Sequence, residues 1–280
     1  MVLNVNAAGS GNSDGTRGPG ARPPGSLAVE ARDLSFAYNG AQVLSGVRLD
    51  IGDGEFVSIL GPNGAGKTTL IKILTGVIRD FDGEVSVYGR RIQAYRRREL
   101  ARCLSLLTQN PPVTLPFLVR DVVMMGRSPY LGRFEMEKPH DREAVERAME
   151  LLDISNLADR NLTELSGGEV KRVFIAQAVA QESRILFLDE PTAGLDINYQ
   201  IEIFRILKTF NDGFGKTVVL ITHDINHAAR FAKKIILLKG GRIFRTGPPE
   251  TVIDERTIKS VFHTDVTVSR DGGGKPYILI

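Results

Sequence analysis

The sequence predicts an α/β fold in which antiparallel strands precede a strand–loop–helix unit and a helical block interrupts the later strands. Apolar and polar residues alternate over 27–51, which predicts two strands separated by a turn. Residues 55–60 form a short apolar run that leads into a glycine-rich loop. Apolar runs at 185–188 and 218–222 flank a helical pattern, and strands that alternate with helices are typical of a parallel sheet.

The composition is that of a folded globular protein. Of the 280 residues 42% are hydrophobic, which is enough to build one large domain with a subdomain. The 36 basic and 33 acidic residues leave a net charge of only +3, which excludes a composition suited to coating nucleic acid. The single cysteine, Cys103, excludes an intramolecular disulfide and any metal site made of several cysteines.

Two stretches of the sequence are candidates for membrane-associated segments, and neither has the required pattern. The uncharged run 103–119 contains Pro111, Pro112 and Pro116, so we expect a strand followed by a loop. Residues 1–26 are rich in Gly, Pro, Ser and Asn and lack the apolar stretch of a signal peptide. We expect a disordered tail over 1–26 and no membrane-spanning segment.

Turn and cap residues place the next elements along the chain. After the glycine-rich loop, a helix over 68–74 is predicted, with Gly76 as its C-cap. The pair Asp82-Gly83 predicts a hairpin turn before a strand over 84–88. The first part of the chain is therefore predicted to join antiparallel strands to a strand–loop–helix unit.

The middle of the chain changes to helical periodicity. Residues 141–152 place apolar side chains on one face, and we assign about 112–165 to an inserted helical subdomain. A further helix is predicted over 201–210. Shorter strands with glycine-rich turns are predicted at 235–238, 242–245 and 266–269.

A glycine-rich loop between a strand and a helix is the strongest motif. It fits the pattern G-x-x-x-x-G-K-[ST], in which glycines let successive N–H groups converge on phosphate oxygens. The N-terminus of the next helix adds partial positive charge. Lys67 is placed to reach the β- and γ-phosphates of a nucleotide, and Thr68 to bind Mg²⁺. The predicted phosphate-binding residues are Gly61, Pro62, Asn63, Gly64, Ala65, Gly66, Lys67, Thr68 and Thr69.

Two acidic residues follow the apolar strand at 185–188. The carboxyl end of a strand is where open parallel sheets hold their ligands, so Asp189 is placed to enter the shell of Mg²⁺. Glu190 is placed to polarise a water for attack on the γ-phosphate. The structural alternative is a pair of acids that only caps a strand end.

A second glycine motif, Leu165-Ser166-Gly167-Gly168-Glu169, precedes a helix that is predicted to run to about Glu182. Ser166 and Glu169 satisfy the capping-box pattern S-x-x-E, so a good helix start is one interpretation. The other is an anion site, because the two glycines leave the first N–H groups of the helix bare.

Taken together, the motifs GPNGAGKTT, LLTQN, LSGGE, ILFLDEPTAGLD and ITHD, in this order, resemble those of the ATP-binding cassette (ABC) ATPases over roughly residues 28–280. The resemblance implies ATP hydrolysis and a phosphate-loop α/β core with an antiparallel β-subdomain and a helical subdomain. One residue departs from the family pattern: Glu169 stands where many members have Gln. Both residues complete a capping box, so we expect little loss.

The resemblance also implies roles for individual residues. Asp189 and Glu190 match the Mg²⁺ aspartate and the catalytic glutamate, and Leu195-Asp196 matches the loop that crosses the dimer interface. The remaining matches are Tyr38 for stacking on adenine, Gln109 for touching Mg²⁺, His223 for sensing the γ-phosphate, and Ser166, Gly167 and Gly168 for contacting the γ-phosphate of ATP on a second copy of the chain.

Details within the family point to one kind of transporter. The segment Gly126-Arg127-Ser128-Pro129-Tyr130, the residues after Leu195-Asp196 and the C-terminal Gly274-Lys275-Pro276-Tyr277 look like those of iron–siderophore, haem and cobalamin importer ATPases. The resemblance implies three partners: integral membrane permease subunits, a second copy of the chain, and indirectly a substrate-binding protein. It also implies a peripheral position on the cytoplasmic face of the cell (inner) membrane.

Two alternatives remain. A soluble ABC ATPase acting on nucleic acid or the ribosome shares the motifs, but such chains carry a long coiled coil after the glutamine motif or a second cassette. Here only about 55 residues separate Gln109 from the signature. The arginines at 90, 91 and 96–98 are expected to form a solvated face, since only Tyr95 lies among them, so no nucleic-acid partner is expected. The ATPase of an exporter is the second alternative.

The segment 109–130 is a candidate for docking on the permease. Its prolines restrict the backbone, which suits a stiff connector between the core and the helical subdomain. It also has more apolar residues than a solvated loop needs. We expect a docking surface here that Arg127→Glu with Tyr130→Ala would disrupt, and packing inside the helical subdomain is an equal alternative for each residue. The apolar residues concerned are Leu115, Phe117, Met124, Met125, Pro129, Tyr130 and Leu131.

Overall fold

A computed structural model describes residues 26–109, 116–132 and 135–279. The predicted tail lies outside the described residues except for Ser26, and so do Pro111, Pro112 and Leu115 of the candidate docking segment. The strands are β1 Leu27–Tyr38, β2 Ala41–Gly52, β3 Phe56–Leu60, β4 Asp82–Val87, β5 Arg90–Arg91, β6 Leu104–Leu107, β7 Ile185–Asp189, β8 Thr217–Ile221, β9 Lys234–Lys239, β10 Arg242–Gly247, β11 Thr267–Arg270 and β12 Pro276–Leu279.

The α-helices alternate with the later strands. They are α1 Lys67–Leu74, α2 Arg97–Cys103, α3 Val119–Met124, α4 Pro139–Leu151, α5 Gly167–Ala180, α6 Ile197–Phe214, α7 Ile225–Phe231, α8 Pro249–Val252 and α9 Glu255–Phe262. The predicted alternation of strands and helices is confirmed. None of the helices within the described ranges is both long enough and apolar enough to cross a membrane.

A six-stranded sheet forms the centre of the fold, in the order β10-β9-β3-β8-β7-β6. All neighbouring strands are parallel except β10, which pairs antiparallel with β9 at one edge. Every residue of β3, β7 and β8 is buried. Burial on both faces explains why these strands read as continuous apolar runs in the sequence.

A four-stranded antiparallel sheet, in the order β2-β1-β4-β5, is the predicted β-subdomain. The turn predicted between the first two strands lies at Asn39-Gly40, which joins β1 and β2. The turn predicted at Asp82-Gly83 is wrong, because both residues lie in β4. Gly83 has a φ of +95°, and a Cβ there would lie 2.5 Å from the carbonyl oxygen of Asp33, where the register of β1 and β4 shifts. The glycine therefore accommodates an irregular strand pair.

The two faces of the central sheet contact different layers. Alternate residues of β3, such as Phe56 and Leu60, pack with helices α3–α7 in one apolar cluster. Their neighbours Val57 and Ile59 pack with α1 and the antiparallel sheet in a second cluster. The central sheet therefore separates the β-subdomain from the helical part of the chain.

Several helix boundaries differ from those predicted. Thr75 is the C-cap of α1, and Gly76 follows it with a φ of +72°. The helix predicted over 201–210 begins four residues earlier and ends at Phe214, with Gly215 as its C-cap at a φ of +61°. The described residues within 116–165 form α3, α4 and short 3₁₀ turns. The extent of the helical subdomain stays a prediction.

Arg127 is not a surface residue, contrary to expectation. Only 1% of its surface is exposed. Its guanidinium donates to Asp141 at 2.9 Å, to the Ala180 carbonyl at 2.8 Å and to Glu182 at 2.9 Å. Burial acts to raise the pKa of Asp141, but the Lys138 N–H and the Arg127 guanidinium outweigh it and hold that pKa below its ordinary value. Arg127 therefore joins α3 and α4 to the end of α5.

We expect Arg127→Met to lower the free energy of unfolding by about 3–5 kcal/mol, because it leaves the buried Asp141 carboxylate without its cation. Urea unfolding measures this loss. Arg120→Met is the control, since the ion pair of Arg120 with Asp159 is mostly exposed and such pairs contribute up to about 1 kcal/mol. Equal, small losses in the two variants would contradict the structural role of Arg127.

Candidate functional site

The predicted phosphate loop lies between β3 and α1. Its backbone requires glycine at two positions. Gly61 has a φ of +153°, and a Cβ there would lie 2.2 Å from the carbonyl oxygen of Leu238. Gly66 has a φ of +97°, and its Cβ would lie 2.8 Å from Leu44 Cδ2. The loop thus curls in a conformation that only residues without a side chain adopt.

Lys67 is held against the loop that it follows. Its Nζ donates to the carbonyl oxygens of Gly61 at 2.8 Å and Pro62 at 3.0 Å. Burial lowers the pKa of Lys67, whereas the nearby Glu190 and Asp189 carboxylates act to raise it. The sequence therefore places a buried cation beside a ring of backbone groups and two carboxylates.

Asp189 ends β7 and is 3% exposed. Burial raises the pKa of this carboxyl group, an effect that a hydrogen bond with Thr68 partly offsets. Within the part of the chain that the structure describes, its Oδ1 atom has no hydrogen-bond partner. A buried, unsatisfied carboxylate oxygen is costly. A carboxylate beside a threonine hydroxyl is a donor set that suits Mg²⁺, which prefers oxygen ligands and keeps phosphate or water in its other positions.

Glu190 is held between two other predicted site residues. Gln109 Nε2 donates to Glu190 Oε2 at 2.6 Å, and the Nε2 atom of His223 contacts Glu190 Oε1. Glu190 has a φ of +52°, which is uncommon for a residue with a side chain. Its N–H donates to the Ile221 carbonyl at 3.1 Å. Backbone and side-chain contacts together fix the direction of this carboxylate.

An open cleft of about 640 Å³ collects most of the predicted site residues. Tyr38 stands at its rim, 46% exposed, with its ring edge-on to Phe36 at 4.7 Å. Val43 also lines the cleft and was missed, because an apolar residue in a strand gives no local signal of a site. The other lining residues are Asn63, Gly64, Ala65, Gly66, Lys67, Thr68, Thr69, Gln109, Glu190 and His223. Gly61 and Pro62 accept from Lys67, and Asp189 contacts Thr68 below the cleft.

The second glycine motif starts α5 with the predicted capping box. Ser166 Oγ accepts from the Glu169 N–H at 3.3 Å, and the Glu169 carboxylate accepts from the Ser166 N–H at 2.8 Å. A hydrogen bond from the Ser166 hydroxyl holds the pKa of Glu169 below its ordinary value. Ser166 and Gly167 are exposed, and Gly168 is half-buried. The described residues that line the phosphate-loop cleft do not include Ser166, Gly167 or Gly168.

Lys171 connects the second glycine motif, at the start of α5, to the loop that follows Glu190. This residue was not identified from the sequence. It lies in the second turn of α5, and its Nζ donates to the Ala193 carbonyl in the loop after Glu190. A lysine on a helix gives no sequence signal of such a contact. The start of α5 is therefore tied to the loop that leads from Glu190 to Leu195.

Comparisons with known proteins agree with this arrangement. A family model described as ABC transporter matches residues 44–193. The petrobactin import ATP-binding protein of Bacillus subtilis (strain 168) is 37% identical over 241 residues, which cover 86% of this chain and 94% of that protein. The hemin import ATP-binding protein of Bradyrhizobium diazoefficiens is 37% identical over 262 residues, 91% of this chain and 95% of that protein. The cobalamin import ATP-binding protein of Halobacterium salinarum is 37% identical over 245 residues, 88% of this chain and 61% of that protein.

Solved structures share the fold. An inward-facing ABC transporter described as of metal-chelate type superposes with a TM-score of 0.79 at 27% identity, covering 91% of this chain and 97% of that one. A dimeric structure of a bacterial ABC transporter cassette has a TM-score of 0.69 at 30% identity, covering 79% and 98%. Because the family model spans more than half of the sequence and the relatives align over most of it, the chain belongs to the ABC transporter family and is one of its ATPases.

Proposed function

We propose that this chain is the ATP-hydrolysing subunit of a membrane importer for iron–siderophore, haem or cobalamin. The main support for ATP hydrolysis is the position of the Glu190 carboxylate, which is held between Gln109 and His223 at the phosphate-loop cleft. The printed names of the relatives, which import petrobactin, hemin and cobalamin, support the cargo class. The metal-chelate type of the solved transporter supports the same class.

The residues of the cleft divide the work of hydrolysis. The loop N–H groups and Lys67 bind the β- and γ-phosphates, and Tyr38 stacks on the adenine ring. Thr68, Asp189 and Gln109 would hold Mg²⁺. The ion would neutralise developing charge on the phosphates. Glu190 orients the attacking water, and His223 holds Glu190 and meets the γ-phosphate.

The exposed start of α5 suits a second copy of the chain. The first N–H groups of the helix, at Gly167 and Gly168, lie beside the Ser166 hydroxyl, and none of these three residues is among the described residues that line the chain's own phosphate-loop cleft. We therefore assign them to the γ-phosphate of ATP on the partner. Leu195-Asp196 would lie along the same interface. The dimeric cassette at 30% identity supports this arrangement.

As part of an importer, this chain would bind permease subunits and act indirectly with a substrate-binding protein. It would lie on the cytoplasmic face of the membrane. In the docking segment, Phe117 and Met125 are each 42% exposed, and they replace Arg127 as the residues to test. Arg90 and Arg91 are paired with Glu99 and Glu84, so part of the basic charge is already neutralised. This pairing favours the transporter over a nucleic-acid partner.

Glu190→Gln should separate ATP binding from hydrolysis. The variant keeps the size of the side chain but loses the acceptor that orients water, so phosphate release should fall by roughly a hundredfold or more. ATP should still bind and a dimer should accumulate. Lys67→Ala should instead weaken both binding and hydrolysis, because it removes the cation on the phosphates. Normal turnover by purified Glu190→Gln protein would overturn the assignment.

A mixed dimer tests the shared site. Ser166→Arg and Lys67→Ala each damage both sites of a homodimer, but a mixed dimer keeps one site with both halves intact. We expect ATP-dependent dimerisation, measured by size-exclusion chromatography, to recover in the mixture and not in either variant alone. No recovery in the mixture would count against a site shared between two copies.

The importer class is tested by transport. The permease that copurifies with this chain should be reconstituted with it and a binding protein in vesicles. Uptake of a ferric siderophore, haem and cobalamin is then measured with ATP on the side of this subunit. We expect uptake of one of the three, and its loss with Glu190→Gln. ATP-driven movement of cargo in the opposite direction would identify an exporter instead.

A further inference from the structure

The C-terminal hairpin of β11 and β12 is attached to α7, the helix that follows His223. Ile278 is 8% exposed and packs in the same apolar cluster as the buried residues of α7. At the far end of α7, the Nζ atom of Lys275 donates to the Arg230 carbonyl. The hairpin therefore contacts this seven-residue helix at both ends.

The contact at the start of α7 is a pair of hydrogen bonds. The side-chain Nδ2 of Asn226 donates to the Ile278 carbonyl at 3.2 Å, and the Ile278 N–H donates to Asn226 Oδ1 at 2.7 Å. The amide side chain of Asn226 thus binds the backbone of β12 as a neighbouring strand would. Because both bonds come from one side chain, they fix its direction as well as its position.

Asn226 lies in the first turn of α7, three residues after His223. Between them, Asp224 caps the helix by accepting from the His227 N–H at 2.8 Å, and the Asp224 N–H donates to Thr222 Oγ1 at 3.1 Å. His223 contacts the Glu190 carboxylate. The backbone from His223 to Asn226, held by the Asp224 cap, therefore connects the hydrogen bonds to the C-terminal hairpin with the contact between His223 and the proposed catalytic glutamate.

We propose that Asn226 is a positioning residue for ATP hydrolysis, which holds the first turn of α7 against the C-terminal hairpin and thereby holds His223 on Glu190. This inference rests on the proposed function of Glu190 and His223. It gives the C-terminal hairpin a role in the chemistry, although none of its residues lines the cleft within the described part of the chain.

A purely structural role is the competing interpretation. Ala228, Ala229 and Phe231 already bury α7, and the ring of Phe231 stacks on Phe204 at 5.1 Å. If these contacts alone fix the helix, removing the amide of Asn226 should cost stability without a separate effect on turnover. The two interpretations therefore differ in the catalytic constants of a variant that remains folded.

Asn211 provides a control for the loss of two hydrogen bonds to the backbone, and it is the more demanding of the two for stability, because it is 3% exposed whereas Asn226 is exposed. Its side chain also makes two hydrogen bonds to backbone groups, to the carbonyls of Gly54 at 3.0 Å and Lys216 at 2.6 Å. Gly54 and Lys216 precede β3 and β8, so they lie at the amino ends of the parallel strands, whereas Glu190 follows the carboxyl end of β7. Asn211→Ala should lower the thermal midpoint of unfolding without changing the position of His223.

The experiment measures ATPase kinetics, ATP binding and thermal unfolding of the full chain. We expect Asn226→Ala to lower kcat roughly tenfold, since even a displacement of about 1 Å can cost on the order of a hundredfold. KM for ATP and ATP-dependent dimerisation should change by less than about twofold, and so should kcat in Asn211→Ala, because distant sites act independently. Asn226→Asp, which keeps the acceptor for the Ile278 N–H, replaces Asn226→Ala if the latter does not fold.

A double-mutant cycle tests the route through His223. In a His223→Ala background, Asn226→Ala should change single-turnover phosphate release by less than about twofold, because the group that it positions is gone. An unchanged kcat in Asn226→Ala, an equal loss in Asn211→Ala, or a full tenfold loss in the His223→Ala background would overturn the inference. Wild-type turnover that persists in Glu190→Gln would instead contradict the proposed function itself.

Discussion

The site depends on the parallel register of three neighbouring strands. Leu107 of β6 pairs with Leu188 of β7, and Asp189 of β7 pairs with Ile221 of β8. Because the strands run in the same direction and in phase, the residues just beyond their ends meet at one edge of the sheet. Gln109, Glu190 and His223 are those residues. A slip of one residue in β7 would turn the carboxylate to the opposite face and dissolve the cluster.

The same sheet separates the two halves of the proposed nucleotide site. Its one face packs on α1 and the antiparallel sheet, which bring the phosphate loop and Tyr38 together. Its other face packs on α5, whose start carries Ser166. A chain with this layering presents the two motifs at separate places, which is the reason for our proposal that two copies bring a loop and a signature to the same ATP. Asn226 and the C-terminal hairpin belong to the second face and act on its edge.

Sequence reasoning succeeded where a residue's neighbours in the chain determine its position. The phosphate loop, the acids after β7 and the capping box at Ser166 are of this kind, because strand ends and helix starts have local signals. The burial of Arg127 was not predicted, because arginines are mostly exposed and no neighbour in the sequence marks this one as buried. Its partners Asp141 and Glu182 follow 14 and 55 residues later. Val43 and Lys171 also reach the site region only through the tertiary fold.

Two buried carboxylates, Asp141 and Asp189, differ in how completely their oxygens are hydrogen-bonded. Around Arg127, both oxygens of Asp141 are satisfied, one by the guanidinium and one by the Lys138 N–H at 3.0 Å. Beside the phosphate loop, Asp189 keeps one oxygen without a partner among the described residues, and burial raises its pKa. The free energy of folding alone would favour satisfying that oxygen too. Because Asp189 also bonds Thr68 of the phosphate loop, this oxygen would be a ligand for the cation of the proposed ATP site, and nucleotide binding would then supply a contact that folding does not.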